Sequence, residues 1–263
     1  MMNYNRVVVK IGTSTLAHAT GRLNIRRVER LVKTLADIKN TGREIILVTS
    51  GSIGVGAGKL GYSRRPEDLP GKQACAAVGQ CELMYIYDKL FGEYHHIVAQ
   101  VLLTQHSLNG GKRQQNVANT FRALINKNVI PIVNANDTVS TNEIEFGDND
   151  TLSAKISCFV KADLLLILSD IDGLYDSNPS VNPDATLIDH VHEINDELRQ
   201  IASGRGSSLG TGGMITKLMA AEIAGSERIP TIIMNGREPE RIYDLFDGKK
   251  IGTLFELKEK TDE

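Results

Sequence analysis

The residues of this chain that could do chemistry are cations and small polar groups set beside glycine. Lys10 interrupts the apolar run RVVVKI two residues before Gly12-Thr-Ser, and Lys217 closes the stretch GRGSSLGTGGMITK, which runs into the apolar-periodic LMAAEIAG. Glycine lets a backbone approach a ligand closely, and a helix start offers free N–H groups to an anion. Lys217 is out of place on dipole grounds, because a cation in a first helical turn needs something negative beside it. Two lysines, glycine loops and nearby Asp and Asn groups make an inventory for handling anions. It fits phosphoryl transfer, where positioning and charge neutralisation do most of the catalysis. No nucleophile–base pair stands out. A hydroxyl acceptor benefits from a base, whereas a carboxylate is already ionised at pH 7 with an ordinary pKa of about 4. A carboxylate is therefore the acceptor inferred.

Other chemistries lack their signatures. The Gly204–Lys217 stretch is not a Walker A loop, because Thr216 stands where GxxxxGK[ST] needs glycine, and Ile215 stands where a dinucleotide fingerprint needs its third glycine. Gly56-Ala-Gly58-Lys-Leu-Gly61 matches GxGxxG by letter. The preceding strand ends well upstream at Thr49, however, and no acidic residue ends a following strand about 20 residues on. The nucleophile elbow is missing around Ser50, where Val48 and Ser52 occupy its two glycine positions. The 6 histidines include no HExxH; His190-Val-His192 reads either as a solvated face or as a metal pair. Cys75, Cys81 and Cys158 form no CxxC, which suits small buried apolar roles in a reducing compartment.

At 263 residues the chain can bury a large core, and 41% apolar with 24% charged residues is ordinary for a soluble globular protein. A net charge of −2 gives no basic surplus, so nucleic acid is not an implied partner. The strongest apolar runs are far too short to cross a bilayer, and no signal peptide is apparent. The expectation is a soluble cytoplasmic protein without a membrane partner.

The elements that must position these groups alternate between strand and helix. Buried strands are read at 6–11, 44–49, 97–103, 130–134, 164–168 and 231–234, with a last short strand in GTLFE. Helices are read after Asn24 up to Gly42, at 72–91, 114–126, 149–161, 194–202, 214–225 and 239–246. The segment 62–71 reads as a mobile surface loop, ANDTVSTNEIEFGDND as a hairpin flap, and 176–192 as an irregular excursion. This pattern predicts an α/β fold, a mostly parallel central sheet sandwiched by helices. Ligands in such sheets bind beyond the carboxyl ends of the strands. The unusual polar groups gather there: Lys10 to Ser14, Ser50-Gly51-Ser52, Asn134 to Asp137, and Ser169-Asp170.

The segments VVVKIGTSTL, ILVTSGSIGVG, VNANDTV, FGDNDTLSA, LLLILSDIDGLY and LGTGGMITKLMAAEIA, in this order and spacing, resemble the glutamate 5-kinase family of the amino acid kinase superfamily. The resemblance covers about the whole chain. It implies the three-layer fold of that superfamily and transfer of phosphate from ATP to the γ-carboxylate of L-glutamate, with Mg2+, as the first step of proline synthesis. Lys10 and Lys217 would then neutralise the phosphates and the transferred group, and Asp150 would hold both lysines. Without the resemblance, Asp150 reads as a carboxylate favoured at a helix N-terminus by the dipole alone. Ser50 with Gly51, Asp137 and Asn149 would bind glutamate, with Asn134 and Asp148 nearby. Ser169, Asp170 and the run Thr211, Gly212, Gly213, Met214, Ile215, Thr216 and Lys217 would line the nucleotide.

The resemblance further implies one kinase domain over residues 1–258, its first part mainly for substrate and about 160–258 mainly for nucleotide. A homo-oligomer and feedback inhibition by proline, with the 62–71 loop as a candidate participant, are also expected. The chain stops about where many bacterial members carry an additional PUA domain, so a short form is expected. Two departures are small: Ser169 stands where Thr is common, and Ser52 where Ala is frequent, with little effect expected.

Overall fold

The computed structural model describes residues 4–18, 22–108, 110–139, 149–179, 181–203 and 213–257. Asp148, Thr211, Gly212, most of the glycine stretch and residues 140–148 of the expected flap lie outside the described residues.

In chain order the elements are β1 (Arg6–Ile11), α1 (Thr13–Leu16), α2 (Ile25–Asn40), β2 (Glu44–Val48), α3 (Ser52–Lys59), α4 (Leu69–Gly92), β3 (Val98–Leu103), α5 (Gln105–Leu108) and α6 (Gly111–Asn126). They continue as β4 (Ile130–Ala135), α7 (Asn149–Val160), β5 (Leu164–Ser169), β6 (His190–Val191), α8 (Asp196–Ala202), α9 (Met214–Gly225), β7 (Thr231–Asn235), α10 (Arg241–Phe246) and β8 (Thr253–Phe255). One 8-stranded sheet has the order β3-β4-β2-β1-β5-β7-β8-β6. Every pairing is parallel except β7 with β8.

Strand alternation divides the core in two. Val7, Val9 and Ile11 of β1 join α2, α4 and α10 residues such as Leu31, Leu35, Leu83, Tyr87 and Ile242 on one face. Val8, Ile46, Leu165 and Ile167 join Phe121 of α6, Ala154 and Ile156 of α7 and Leu218 and Ala221 of α9 on the other. The three-layer architecture read from the sequence is thus present. α2 starts as expected, with the Asn24 side chain accepting from the Arg27 amide at 3.1 Å, and it ends at Gly42 with φ +94.

Three local readings need correction. The small-residue run after β2, for which the sequence predicts no element, is helix α3, and its glycines are there for contact. A Cβ on Gly56 would lie 1.8 Å from the Cys75 carbonyl oxygen, and one on Gly79 would lie 1.8 Å from that of Ser52. α3 and α4 therefore cross backbone to backbone. The 62–71 loop is shorter than read, because Asp68 caps α4 through the Gly71 amide and Pro70 sits in the first turn. The excursion 176–192 ends in β6, the outermost strand of the sheet, parallel to β8. Its two residues are too few to show a period in the sequence.

Candidate active site

The site forms beyond the carboxyl ends of β1, β2, β4 and β5, where the chain leaves each strand through small polar residues. Lys10 is the fifth residue of β1. Alternation sends Val9 and Ile11 to the α2 side and Lys10 with Val8 to the α7 side. There its ammonium pairs with Asp150 Oδ1. Lys217 Nζ lies 3.1 Å from Asp150 Oδ2, and Thr216 Oγ1 donates to the same oxygen at 2.9 Å. The Asp150 side chain is 0% exposed, and those of Lys10 and Lys217 are 8% and 9% exposed.

Packing fixes this triad. α7 and α9 approach each other through small residues, Ala154 on one and Ala220, Ala221 and Ala224 on the other, all buried. That closeness brings the first turn of α7, with Asp150, against the first turn of α9, with Lys217. Both readings of Asp150 are met at once: it stands at a helix N-terminus, where the dipole favours a carboxylate, and it grips both lysines. It also supplies the negative group that Lys217 needs in its own first turn. Burial alone would raise the Asp150 pKa, but the Lys10 and Lys217 ammonium groups outweigh it and hold the carboxyl well below the usual carboxylate range.

The next residue back, Asn149, opens the second half of the site. Its Nδ2 lies 2.7 Å from the Thr49 carbonyl, 2.9 Å from Ser50 Oγ and 2.8 Å from Asn134 Oδ1. Asn134 in turn donates to Gln80 Oε1 at 2.8 Å, and its own Oδ1 accepts the Ala135 amide at 2.9 Å. Thr49 Oγ1 meets the Tyr87 hydroxyl at 2.9 Å, and burial pushes that phenol up to about 12. Gly51 turns the chain into α3 with φ +100, a conformation L side chains rarely adopt. Ser52, first in α3, donates from Oγ to Asp137 Oδ2 at 2.9 Å. The position where little effect was expected thus touches an acidic site residue.

The structure brings together Lys10, Lys217, Asp150, Ser50, Gly51, Asn134, Asp137 and Asn149 along one sheet edge. Ser169 ends β5 and Asp170 follows it, with the Ser169 hydroxyl 3.3 Å from Asp170 Oδ1. Gly213 caps α9, and Met214 and Ile215 pack their side chains on the apolar cluster, which leaves their backbone for any ligand contact. Thr216, expected on the nucleotide, turns its hydroxyl to Asp150 Oδ2 at 2.9 Å and to the Gly213 carbonyl at 2.8 Å. Sequence reasoning missed Gln80, Thr49 and Tyr87. A glutamine within the apolar helix 72–91 was the one available signal for the first. The other two emerge only from how α4 crosses the end of β2.

Chemically, one end of this site offers two ammonium groups held by one carboxylate, suited to phosphate oxygens. The other offers hydroxyl, amide and carboxylate groups suited to a small zwitterion. As for magnesium, both oxygens of Asp150 already face cations. The donor set therefore fits an ion carried mainly by substrate phosphates, the common arrangement for that metal.

The amino acid kinase family model matches residues 5–235. The chain is 53% identical to a glutamate 5-kinase of Clostridium acetobutylicum, covering 99% of this chain and 97% of that protein. It is 48% identical to one of Listeria monocytogenes, covering 99% and 96%. Among solved structures, UMP kinase from Bacillus anthracis is similar with a TM-score of 0.65 at 19% identity over 96% of each chain, a likeness of fold. With a family model across most of its length and relatives this similar from end to end, the chain belongs to the amino acid kinase family.

Proposed function

We propose that this chain is a glutamate 5-kinase, transferring the γ-phosphoryl group of ATP to the γ-carboxylate of L-glutamate to give L-glutamyl 5-phosphate and ADP. That reaction is the first step of proline synthesis, and a cytoplasmic setting follows from it. Among the described residues no helix is long and apolar enough to cross a membrane. One observation carries the reading: Asn149 and Asp150 are neighbours at the start of α7, the first tied to the amide cluster and the second to both lysines. On this reading the acceptor and donor ends would share one helical turn.

Glutamate would lie over Ser50, Gly51 and Asn149, with its α-ammonium toward Asp137. Asn134, held by Gln80, orients Asn149, and Asp148 precedes it in the chain. The nucleotide would lie along Ser169, Asp170 and the start of α9, which Thr211 and Gly212 precede in the chain. In the transfer, a γ-carboxylate oxygen forms a bond to the γ-phosphorus as the bond to the bridging β,γ-oxygen breaks. No proton need be removed from the acceptor. Lys10 and Lys217 neutralise charge on the transferred group and on the departing diphosphate, and Asp150 keeps both ammonium groups aimed. Magnesium, when bound with the nucleotide, would neutralise further phosphate charge. We assign residues 1–258 to one kinase domain, with substrate groups mainly in the first part and nucleotide groups mainly in 160–258. A homo-oligomer and inhibition by proline at the glutamate end complete the proposal.

A coupled ADP-release assay with glutamate, acetylglutamate, aspartate, carbamate and uridylate tests the reading, with hydroxylamine trapping of the acyl phosphate. Turnover with glutamate and a trapped hydroxamate are expected. Turnover confined to another acceptor would replace glutamate by that acceptor, and none with any would remove the kinase assignment.

A further inference from the structure

We propose that His190, His192 and Glu256 form a binding site for a divalent transition metal, zinc or nickel, at the edge of the sheet far in strand order from the lysine centre. β6 pairs in parallel with β8, with His190 opposite Leu254 and Val191 opposite Phe255, so the next step sets His192 beside Glu256. Val191 is 4% exposed and points into the core, which turns both histidines to the outer face. One ligand atom from each of the three residues lies within 4.8 Å of the others. His190 Nε2 is 3.5 Å from Glu256 Oε2, and the two imidazole rings stand 3.9 Å apart at 43°. Donors around a tetrahedral ion with bonds of about 2.0–2.1 Å stand about 3.3 Å apart, so small rotations close the set.

A further contact prepares it. His192 Nδ1 lies 3.3 Å from the Glu256 carbonyl oxygen. A proton held there by the carbonyl leaves the Nε2 lone pair for an ion, the usual outer-shell arrangement of a ligating histidine. All three residues are exposed, so an ion can enter from water and keep water in its remaining position. Two nitrogens and one oxygen suit zinc, nickel or copper, whereas magnesium prefers oxygens alone. The site is thus separate in chemistry from any magnesium that travels with a nucleotide. Its structural consequence is a clip: β6 has only two residues, and the ion would fasten it to the segment after β8.

The test is calorimetric titration of the full chain, stripped by chelator, with ZnCl2 and separately with MgCl2, beside thermal unfolding with and without zinc. The wild type is expected to bind one zinc per chain at this site, to unfold at higher temperature with zinc, and to give no such response to magnesium. His190→Asn with His192→Asn should abolish both effects. Loss of even an outer-shell partner weakens metal sites by about 10–100-fold, so Glu256→Gln should weaken zinc by at least about tenfold. His95→Asn with His96→Asn, in a turn elsewhere, should change neither. A circular dichroism spectrum and a zinc-free unfolding temperature matching wild type show that each variant is folded. Zinc bound equally by wild type and the β6 double variant, or no zinc binding by the wild type, would overturn the proposal.

Discussion

The lysine centre and the amide cluster lie side by side at one sheet edge, yet they are made of opposite materials. The first is a buried carboxylate between two buried ammonium groups, Asp150 with Lys10 and Lys217. The second is a chain of neutral groups, from Gln80 through Asn134 to Asn149, with the Ser50 hydroxyl and the Thr49 carbonyl. Under the proposed function, charge is concentrated where charge would be neutralised during the reaction. Neutral groups would serve where a substrate is recognised and released, because they can exchange partners without stranding an ion. The comparison teaches that removing a member should have unequal consequences on the two sides.

The largest effect belongs to Asp150→Ala. It leaves two ammonium groups in a dry pocket, and removing one partner of a buried ion pair typically costs about 3–5 kcal/mol. Urea unfolding should show a loss of that size, together with loss of turnover. Asp150→Asn keeps the shape and should retain more stability than Asp150→Ala. Because the folded carboxyl lies below its unfolded value, the wild-type contribution is complete above about pH 4. It is lost as pH falls further, since the unfolded chain then binds the extra proton. Unfolding measured from pH 5 down to pH 3 should be steeper in wild type than in Asp150→Asn.

Next comes the backbone that supports the neutral side. Gly79→Ala places a Cβ 1.8 Å from the Ser52 carbonyl oxygen, so α3 must move away from α4. Overpacking of this kind costs about 1–3 kcal/mol. Here it also displaces the Ser50–Ser52 turn, so the KM for glutamate should rise along with the loss of stability. A stable Gly79→Ala variant with unchanged KM would show that the glutamate end does not depend on this crossing. Ser52→Ala is the mildest change. It removes a partly exposed bond to Asp137, worth about 1 kcal/mol, or roughly a fivefold rise in KM.

The sequence was most readable where one physical rule decides the outcome. Apolar runs became strands, Asn24 became a cap, and polar groups at strand ends came together as the candidate site. The Lys10–Asp150–Lys217 set drew on family resemblance, since nothing local to Asp150 reveals two partners distant in sequence. α3 was missed because its glycines weaken helix propensity, and only contact with α4 explains them. Thr49 and Tyr87 were invisible for a related reason, and Gln80 showed only as a glutamine in an apolar helix: their contacts arise from an angle between elements. β6 was too short to carry a pattern.

The most direct test of the central claim, that the lysines act in transfer and the amide cluster in acceptor binding, is steady-state kinetics of Lys217→Ala and Asn149→Ala side by side with glutamate varied. Lys217→Ala should lose kcat on the order of 10²–10³-fold, with its KM for glutamate within about twofold of wild type. Asn149→Ala should keep most of kcat and raise that KM by roughly tenfold or more, as expected for about 1–3 kcal/mol of lost hydrogen bonding. The same loss in both variants, or a KM effect from Lys217 and a kcat effect from Asn149, would contradict the account.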